Sequence, residues 1–283
     1  LVSVTDTGPL DDNRPIWPVL VATDHFEVRV AQTRAEIEAA QRVRYRVFYE
    51  ELHAVPTPAM QANRLDFDKY DPFCEHLLAV DRSQLDANGQ PEVIGCYRVM
   101  RSEGALRAGG FYTSGEFDIS ELLRSVKKGS RLLELGRSCV LKESRSKPMV
   151  MQLLWRAIIA YVVRHRIDVM FGCASFEGTD PKAFAKQLSY LHHFHPIRGG
   201  VTARALPQLY VDMNFMPKED IDPRAALHEL PALIKGYVRA GAQIGDGAVV
   251  DHQFSTTDVL IYYPMDQMPP RYRARFGLPE LPK

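Results

Sequence analysis

Three aspartates crowd into D-F-D-K-Y-D, at positions 66, 68 and 71. Carboxylates this close repel one another unless a cation sits among them. Asp66, Asp68 and Asp71 are therefore a candidate pocket for a positively charged substrate, such as the ammonium groups of an amino acid. Spacing alone also allows a solvated loop. A calcium loop is disfavoured, because the EF-hand spacing and its terminal Glu are missing. A second constellation is E-L-G-R-S-C-V, residues 134–140. Glu134 and Arg137 interrupt an apolar run, where a charge is costly to bury unless paired. Alternation along a strand sets them on opposite faces. A bulge at the intervening Gly136 would add one residue and bring both to one face. It would also free a backbone N–H able to polarise a thioester carbonyl. The plainer alternative is an ion pair that only holds the sheet.

The segment E-S-R-S-K-P follows, with Arg145, Ser146 and Lys147 at the start of a helix. Free N–H groups and a partial positive charge gather there. That suits a phosphopantetheine phosphate or the acidic face of a carrier protein; an ordinary capped helix with basic surface residues fits equally. Arg44 and Phe48 lie one helical turn apart and share a face, and Arg98 is a lone charge in G-C-Y-R-V-M-R. His192, His193 and His195 match no ligand set and read as a polar helix end, so no metal site is expected. Neither the nucleophile elbow G-x-S-x-G nor the dinucleotide fingerprint G-x-G-x-x-G is found.

These residues need elements to hold them. Phe26, Val28 and Val30 alternate as a first strand. Thr33 and Glu36 form a capping box that opens a helix to about Leu52, ended by Pro56 and Pro58. Segments His76–Asp81 and Val93–Met100 flank an Asn88-Gly89 turn and predict an antiparallel hairpin. A looser stretch over 102–118 and a short helix near 119–126 follow. Leu132–Lys142 predicts a strand, Pro148–His165 a helix with Ser146 as N-cap, and Val169–Ser175 another strand. Asp180-Pro181 opens a helix to about His193. Later come a helical part, Pro223–Ala240, and a strand, Asp258–Tyr263. The crossover helix demands that the fourth and fifth strands run parallel within a mixed, mostly antiparallel sheet flanked by helices.

The 283 residues carry 35 Lys+Arg and 35 Asp+Glu, so the formal charge is zero. A nucleic-acid binder usually shows a basic excess, so nucleic acid is not an expected partner. Cys74, Cys96, Cys139 and Cys173 show no CxxC spacing, which favours buried thiols in a reducing cytoplasm. No signal peptide is read in the first residues. The chain opens on Leu1 rather than Met, which leaves room for residues ahead of it. Residues 1–24 read as a poorly structured arm. The apolar stretch Met149–Val163 is broken by Gln152 and Arg156 and falls short of the roughly 20 residues that span a bilayer. Any membrane contact is then peripheral.

In order and spacing, R-x-x-x-F (Arg44, Phe48), D-x-D-x-x-D (Asp66, Asp68, Asp71), G-x-x-R (Gly95, Arg98) and E-L-G-R (Glu134, Arg137) resemble the acyl-homoserine-lactone synthases. There the first acidic position is usually Glu. The chain is more similar to the bacterial ornithine lipid synthases, over roughly residues 25–277. The segment 231–260, P-A-L-I-K-G-Y-V-R-A-G-A-Q-I-G-D-G-A-V-V-D-H-Q-F-S-T-T-D-V-L, supports this and has no counterpart in the lactone synthases. The resemblance implies a GNAT-like α/β domain over 25–283, with a C-terminal extension from about 216. It also implies a 3-hydroxyacyl donor on acyl carrier protein, ornithine as acceptor, and a lyso-ornithine lipid as product. No separate cofactor is implied, because the acyl group rides on the carrier's phosphopantetheine. Ordinary GNAT enzymes carry a Gly-rich pyrophosphate loop where S-R-S-K-P stands here, which argues against coenzyme A as donor.

On that reading Glu134 is the base for the amine, and the acidic loop holds the ornithine ammonium groups. Arg98 and Arg137 fix that loop or bind the acceptor carboxylate. The helix face Leu153–Val162 lines an acyl tunnel or is plain core. The rivals are a lactone synthase, another amino-acid N-acyltransferase, and a non-catalytic binding or membrane-lytic protein on the same fold.

Overall fold

Short runs of alternating apolar residues build the sheet. In F-E-V-R-V the valines are buried and the charges between them are only partly covered. The computed structural model describes residues 19–125 and 129–275. Its strands are β1 (Val21–Ala22), β2 (Phe26–Val30), β3 (Glu75–Leu85), β4 (Pro91–Arg101), β5 (Phe117–Asp118), β6 (Leu132–Val140), β7 (Val169–Glu177), β8 (Arg204–Ala205), β9 (Gln243–Asp251) and β10 (Thr256–Pro264). They form one sheet in the order β1-β2-β3-β4-β6-β7-β10-β9-β8-β5.

The expected hairpin is β3–β4, the capping box of Thr33 and Glu36 is present, and the helix Pro148–His165 has the expected bounds. The expected parallel pair is β6–β7; a second parallel contact, Arg204 with Asp246, joins β8 to β9. Ser146 does not cap the long helix. The chain turns through a short helix, Lys142–Arg145, and Lys147 takes the cap position without a side-chain bond. The N-terminal arm lies mostly outside the described residues, but Val21–Ala22 pairs with β2. The helical stretch after 222 is two helices, Pro223–Glu229 and Ala232–Arg239, parted at Leu230-Pro231. The loose stretch 102–118 contains a helix, Ser102–Ala108.

Helices cover both faces. The Cys96 thiol touches the carbonyl of Ala40 in the first helix, Arg34–Tyr45. The Tyr97 hydroxyl, on the opposite face, bonds that of Tyr237 at 2.8 Å, and Tyr237 packs edge-on to Trp155 of the long helix. Leu153, Leu154, Ala157, Ile158 and Val162 belong to the main core, so that helix face is core rather than tunnel. The part of the chain after 216 completes the sheet, since β10 pairs with β7 along its whole length.

Two glycines sit where β6 meets β7. A methyl group on Gly172, whose φ is +156°, would stand 2.1 Å from the Leu135 carbonyl oxygen, whereas one on Gly136 would meet nothing within 4 Å. Gly172→Ala should therefore destabilise the fold by about 3 kcal/mol or more, and Gly136→Ala by far less. Chemical denaturation of both variants checks this. Equal midpoints would mean that the strand contact is not as tight as described.

Candidate active site

The β6–β7 ladder is short: Leu132 pairs with Val169, Leu133 with Met170 and Glu134 with Phe171. Past Glu134 the strands part, β6 remaining on β4 and β7 on β10. A cavity of about 330 Å³ occupies the gap, with Phe48, Arg98, Tyr112, Glu134 and Arg137 among its lining residues. Leu233 and Tyr237 of the helix Ala232–Arg239 also border it, as do Asp251, Phe254 and Asp258 of the β9–β10 hairpin.

The bulge expected in β6 is present, one residue later than Gly136. Gly136 pairs with Arg98 and Cys139 with Cys96, so Arg137 and Ser138 together oppose Tyr97. Arg137 adopts a left-handed φ of +51°. A non-glycine residue holds that conformation only where its surroundings over-determine it. Here the Arg137 guanidinium lies 3.4 Å from Asp66 and 3.2 Å from Asp68 and packs on the rings of Tyr112 and Phe254. The bulge brings Arg137 to the face that carries Glu134 and Arg98.

The three aspartates do not wait for an ammonium. Arg44, fully buried, pairs with Asp66 at 2.7 Å and Asp71 at 2.6 Å. Arg98 pairs with Asp68 at 2.7 Å and Asp71 at 3.0 Å. With Arg137 this makes three guanidiniums for three carboxylates. Tyr49 donates a further bond to Asp66, and the Asp68 N–H one to Asp71. Flanking guanidiniums outweigh burial and hold the Asp71 carboxyl well below its usual range. His76 is pushed down to about 4 by burial and by facing Arg44 and Arg98, so it is neutral at pH 7. The loop expected to hold substrate ammonium groups has its carboxylates paired with the chain's own cations, and Asp66 and Asp71 are buried. Arg44 likewise belongs to the network, while Phe48, one turn on, faces the cavity.

Glu134 closes the narrow end of the gap. Its oxygens accept the N–H groups of Thr113 at 2.7 Å and Tyr112 at 3.1 Å. These bonds pin the turn 112–115 beneath the cavity. Burial raises the Glu134 carboxyl above its ordinary value, against the pull of those N–H groups. Each carboxylate oxygen has a second lone pair, so Glu134 keeps acceptor capacity.

Along the chain from the gap, Arg145 and Lys147 are ion-paired, Arg145 with Glu51 at 2.5 Å and Lys147 with Asp81 at 3.1 Å. Ser146 is exposed. None of the three is among the cavity's lining residues.

A second acidic group is not legible in the sequence. Glu116, Asp251 and Asp258 each offer an oxygen within 4.8 Å of the others. Glu116 follows the turn that Glu134 holds; the two aspartates come from the β9–β10 hairpin. Burial pushes Asp258 up to about 6, with added repulsion from Asp251. Burial and the nearby Asp258 push Glu116 up to about 8. The Cys173 thiol and the Arg137 guanidinium face the same group.

A mixed sheet that opens between two parallel strands, with helices on both faces and a buried glutamate at the opening, has the architecture of the GNAT-fold acyltransferases. The model of the Acetyltransferase (GNAT) domain matches residues 43–156. An N-acyl amino acid synthase from uncultured soil microbes superposes with a TM-score of 0.50 at 11% identity, covering 89% of this chain and 96% of that one. The L-ornithine N(alpha)-acyltransferase of Agrobacterium fabrum is 49% identical over 89% of this chain and 85% of its own. The Rhizobium meliloti protein of the same name is 48% identical over 93% and 88%. The chain belongs to the family of the L-ornithine N(alpha)-acyltransferases.

The raised pKa values of Asp258 and Glu116 bear on stability. With folded values near 6 and 8 and ordinary values of 3.8 and 4.5, the folded chain keeps protons that the unfolded chain has released. Stability is then full below about pH 4 and falls as pH rises to about 8. A tenfold difference in proton affinity between the two states corresponds to about 1.4 kcal/mol. Asp258→Asn should melt about 5 °C above the wild type at pH 8.5 and close to it at pH 3.5, with no acceptor present. An equal offset at both pH values would show that Asp258 ionises without cost.

Proposed function

We propose that this protein moves a 3-hydroxyacyl group from the phosphopantetheine thioester of acyl carrier protein to the α-amine of L-ornithine, giving a lyso-ornithine lipid. The observation that carries this reading is the lined gap past Glu134. In this reading the gap takes a thin thioester-bearing arm and an amine, in a chain whose relatives are named L-ornithine N(alpha)-acyltransferase.

Aminolysis needs a neutral amine, a polarised carbonyl and a place for the proton. An α-amine is mostly protonated at neutral pH, so a base must take its proton. In this reading Glu134 does so, directly or through one water, and burial makes it a stronger base than an exposed glutamate. The nitrogen lone pair attacks the thioester carbon. A β6 backbone N–H at the bulge, on the edge released from the β6–β7 ladder, stabilises the oxyanion. Collapse expels the pantetheine thiolate, which takes up a proton, and no covalent enzyme intermediate forms. Arg98 and Arg137 hold the aspartate loop in place, and the outward edge of Arg137 serves the acceptor carboxylate. Phe48, Met170 and Leu233 give the cavity an apolar side for the acyl chain.

A carrier-protein donor fits the junction between β6 and the long helix, a short helix rather than a Gly-rich loop. Arg145, Ser146 and Lys147 are the groups this reading gives to the donor phosphate, which must compete with Glu51 and Asp81 for the two cations. No separate cofactor is required. No helix among the described residues is long and apolar enough to cross a membrane. The site of action in this reading is the cytoplasm, with peripheral contact at the inner membrane where the single-chain lipid product is released.

Two outcomes test the reading. Glu134→Gln should lower kcat about 10²-fold or more while the far-ultraviolet spectrum is kept. Its residual rate should climb with pH as free amine becomes plentiful. A flat profile or near wild-type turnover would remove Glu134 as the base. Acyl-CoA should be a far poorer donor than the acyl carrier protein thioester, and equal kcat/KM for both would overturn the donor assignment.

A further inference from the structure

We infer that Glu116, Asp251 and Asp258 form the socket for the side-chain ammonium of the acceptor, and so select a diamino acid over a monoamino acid. This rests on the ornithine reading and adds to it the residues that choose the acceptor.

The first observation is an oxygen without a partner. Asp258 is 6% exposed. Its Oδ1 and Oε2 of Glu116 are buried and lack a hydrogen bond of good geometry among the described residues, with only the hydroxyls of Ser175 and Thr256 and the Cys173 thiol as neighbouring donors. A buried carboxylate oxygen left unsatisfied is costly, and it is uncommon enough in native proteins to ask for a missing donor. Asp251 already spends one oxygen, Oδ1, on the N–H groups of Gln253 and Phe254, which fixes the hairpin turn.

The second observation is where these groups stand. Asp251 and Asp258 line the same cavity as Glu134. The Cys173 thiol lies 3.9 Å from the Thr113 hydroxyl, and Thr113 is the residue whose N–H Glu134 holds. Two residues, Cys173 and Thr113, thus link the acidic group to the base across the same cavity. The charge balance agrees. The cavity wall carries Glu134, Glu177, Asp251 and Asp258, while its guanidiniums, Arg98 and Arg137, are already paired with the aspartate loop. An ammonium brought among these carboxyls would favour their ionised forms and so supply the counter-charge that the paired guanidiniums do not.

An ammonium offers three N–H donors to three separate carboxylates, with the Phe254 ring beside them. Calcium asks for six to eight oxygens. Around this group stand instead a thiol, an aromatic ring and the hydroxyls of Ser175 and Thr256. The shape and chemistry favour the ammonium.

The test compares L-ornithine with L-norvaline, which has the same carbon chain and no side-chain amine, using a 3-hydroxyacyl carrier-protein thioester. The wild type should favour ornithine strongly. Asp258→Asn should lower that preference about 10- to 100-fold, mostly through a higher KM for ornithine. Glu116→Gln with the same readout, and calorimetry of ornithine and norvaline on the wild type, cover the case in which Asp258→Asn fails to fold. Wild type that takes norvaline as readily as ornithine, or variants that lose both acceptors in proportion, would overturn the inference while leaving the acyltransferase intact. So would activity abolished by EDTA together with Ca²⁺ or Mg²⁺ binding that Asp258→Asn removes. If the wild type acylates no amino acid at all, the function proposed above falls, and this inference with it.

Discussion

Three buried guanidiniums set against three carboxylates organise this molecule. Arg44 comes from the first helix, Arg98 from β4, Arg137 from β6, and all three meet on the loop of Asp66, Asp68 and Asp71. Removing one partner from such a buried set typically costs about 3–5 kcal/mol, because a charge is then left in a medium that cannot solvate it. The network does more than hold a loop. It draws the Arg137 side chain across the sheet and so supports the left-handed backbone that makes the bulge. The bulge lies in the β4–β6 ladder, just beyond the point after Glu134 where β6 parts from β7, so its backbone and the Arg137 side chain border the gap.

The opening of the sheet is local. Gly172 presses against Leu135 at the last close contact, and one residue earlier the ladder is regular. Beyond it each strand keeps its other neighbour, so few backbone groups lose a ladder partner. The last third of the chain closes the far wall, with β10 on β7 and Tyr237 bonded to Tyr97. A chain lacking these residues would present an open trough to solvent. Within the cavity, low dielectric makes Glu134, Glu116 and Asp258 all weaker acids than their exposed counterparts.

Much of this was legible in the sequence where the signal is local. The capping box Thr33–Glu36, the Asn88-Gly89 turn and the apolar run of Pro148–His165 each specify their element within a few residues. Glu134 and Arg137 stood out because charges in a strand demand partners. The aspartate loop was legible only in part, for the complementary reason. Spacing shows three repelling carboxylates but not that Arg44, on an earlier helix, and Arg98, on a later strand, arrive to neutralise them. β9 escaped notice because Gly245 and Gly247 break its apolar alternation, and β5 and β8 are too short to carry a pattern. The group of Glu116, Asp251 and Asp258 had no signal at all, since its members come from distant parts of the chain and meet only when the sheet closes.

The β9–β10 hairpin has one more implication. The GNAT domain match ends at residue 156, and so includes the glutamate and arginine at the gap but neither hairpin aspartate. The two ends of the cavity are thus encoded in separate stretches of polypeptide. Such a layout is modular: exchanging one β-turn and its flanking strands would retool the far wall while the bulge and its ionic brace stay untouched.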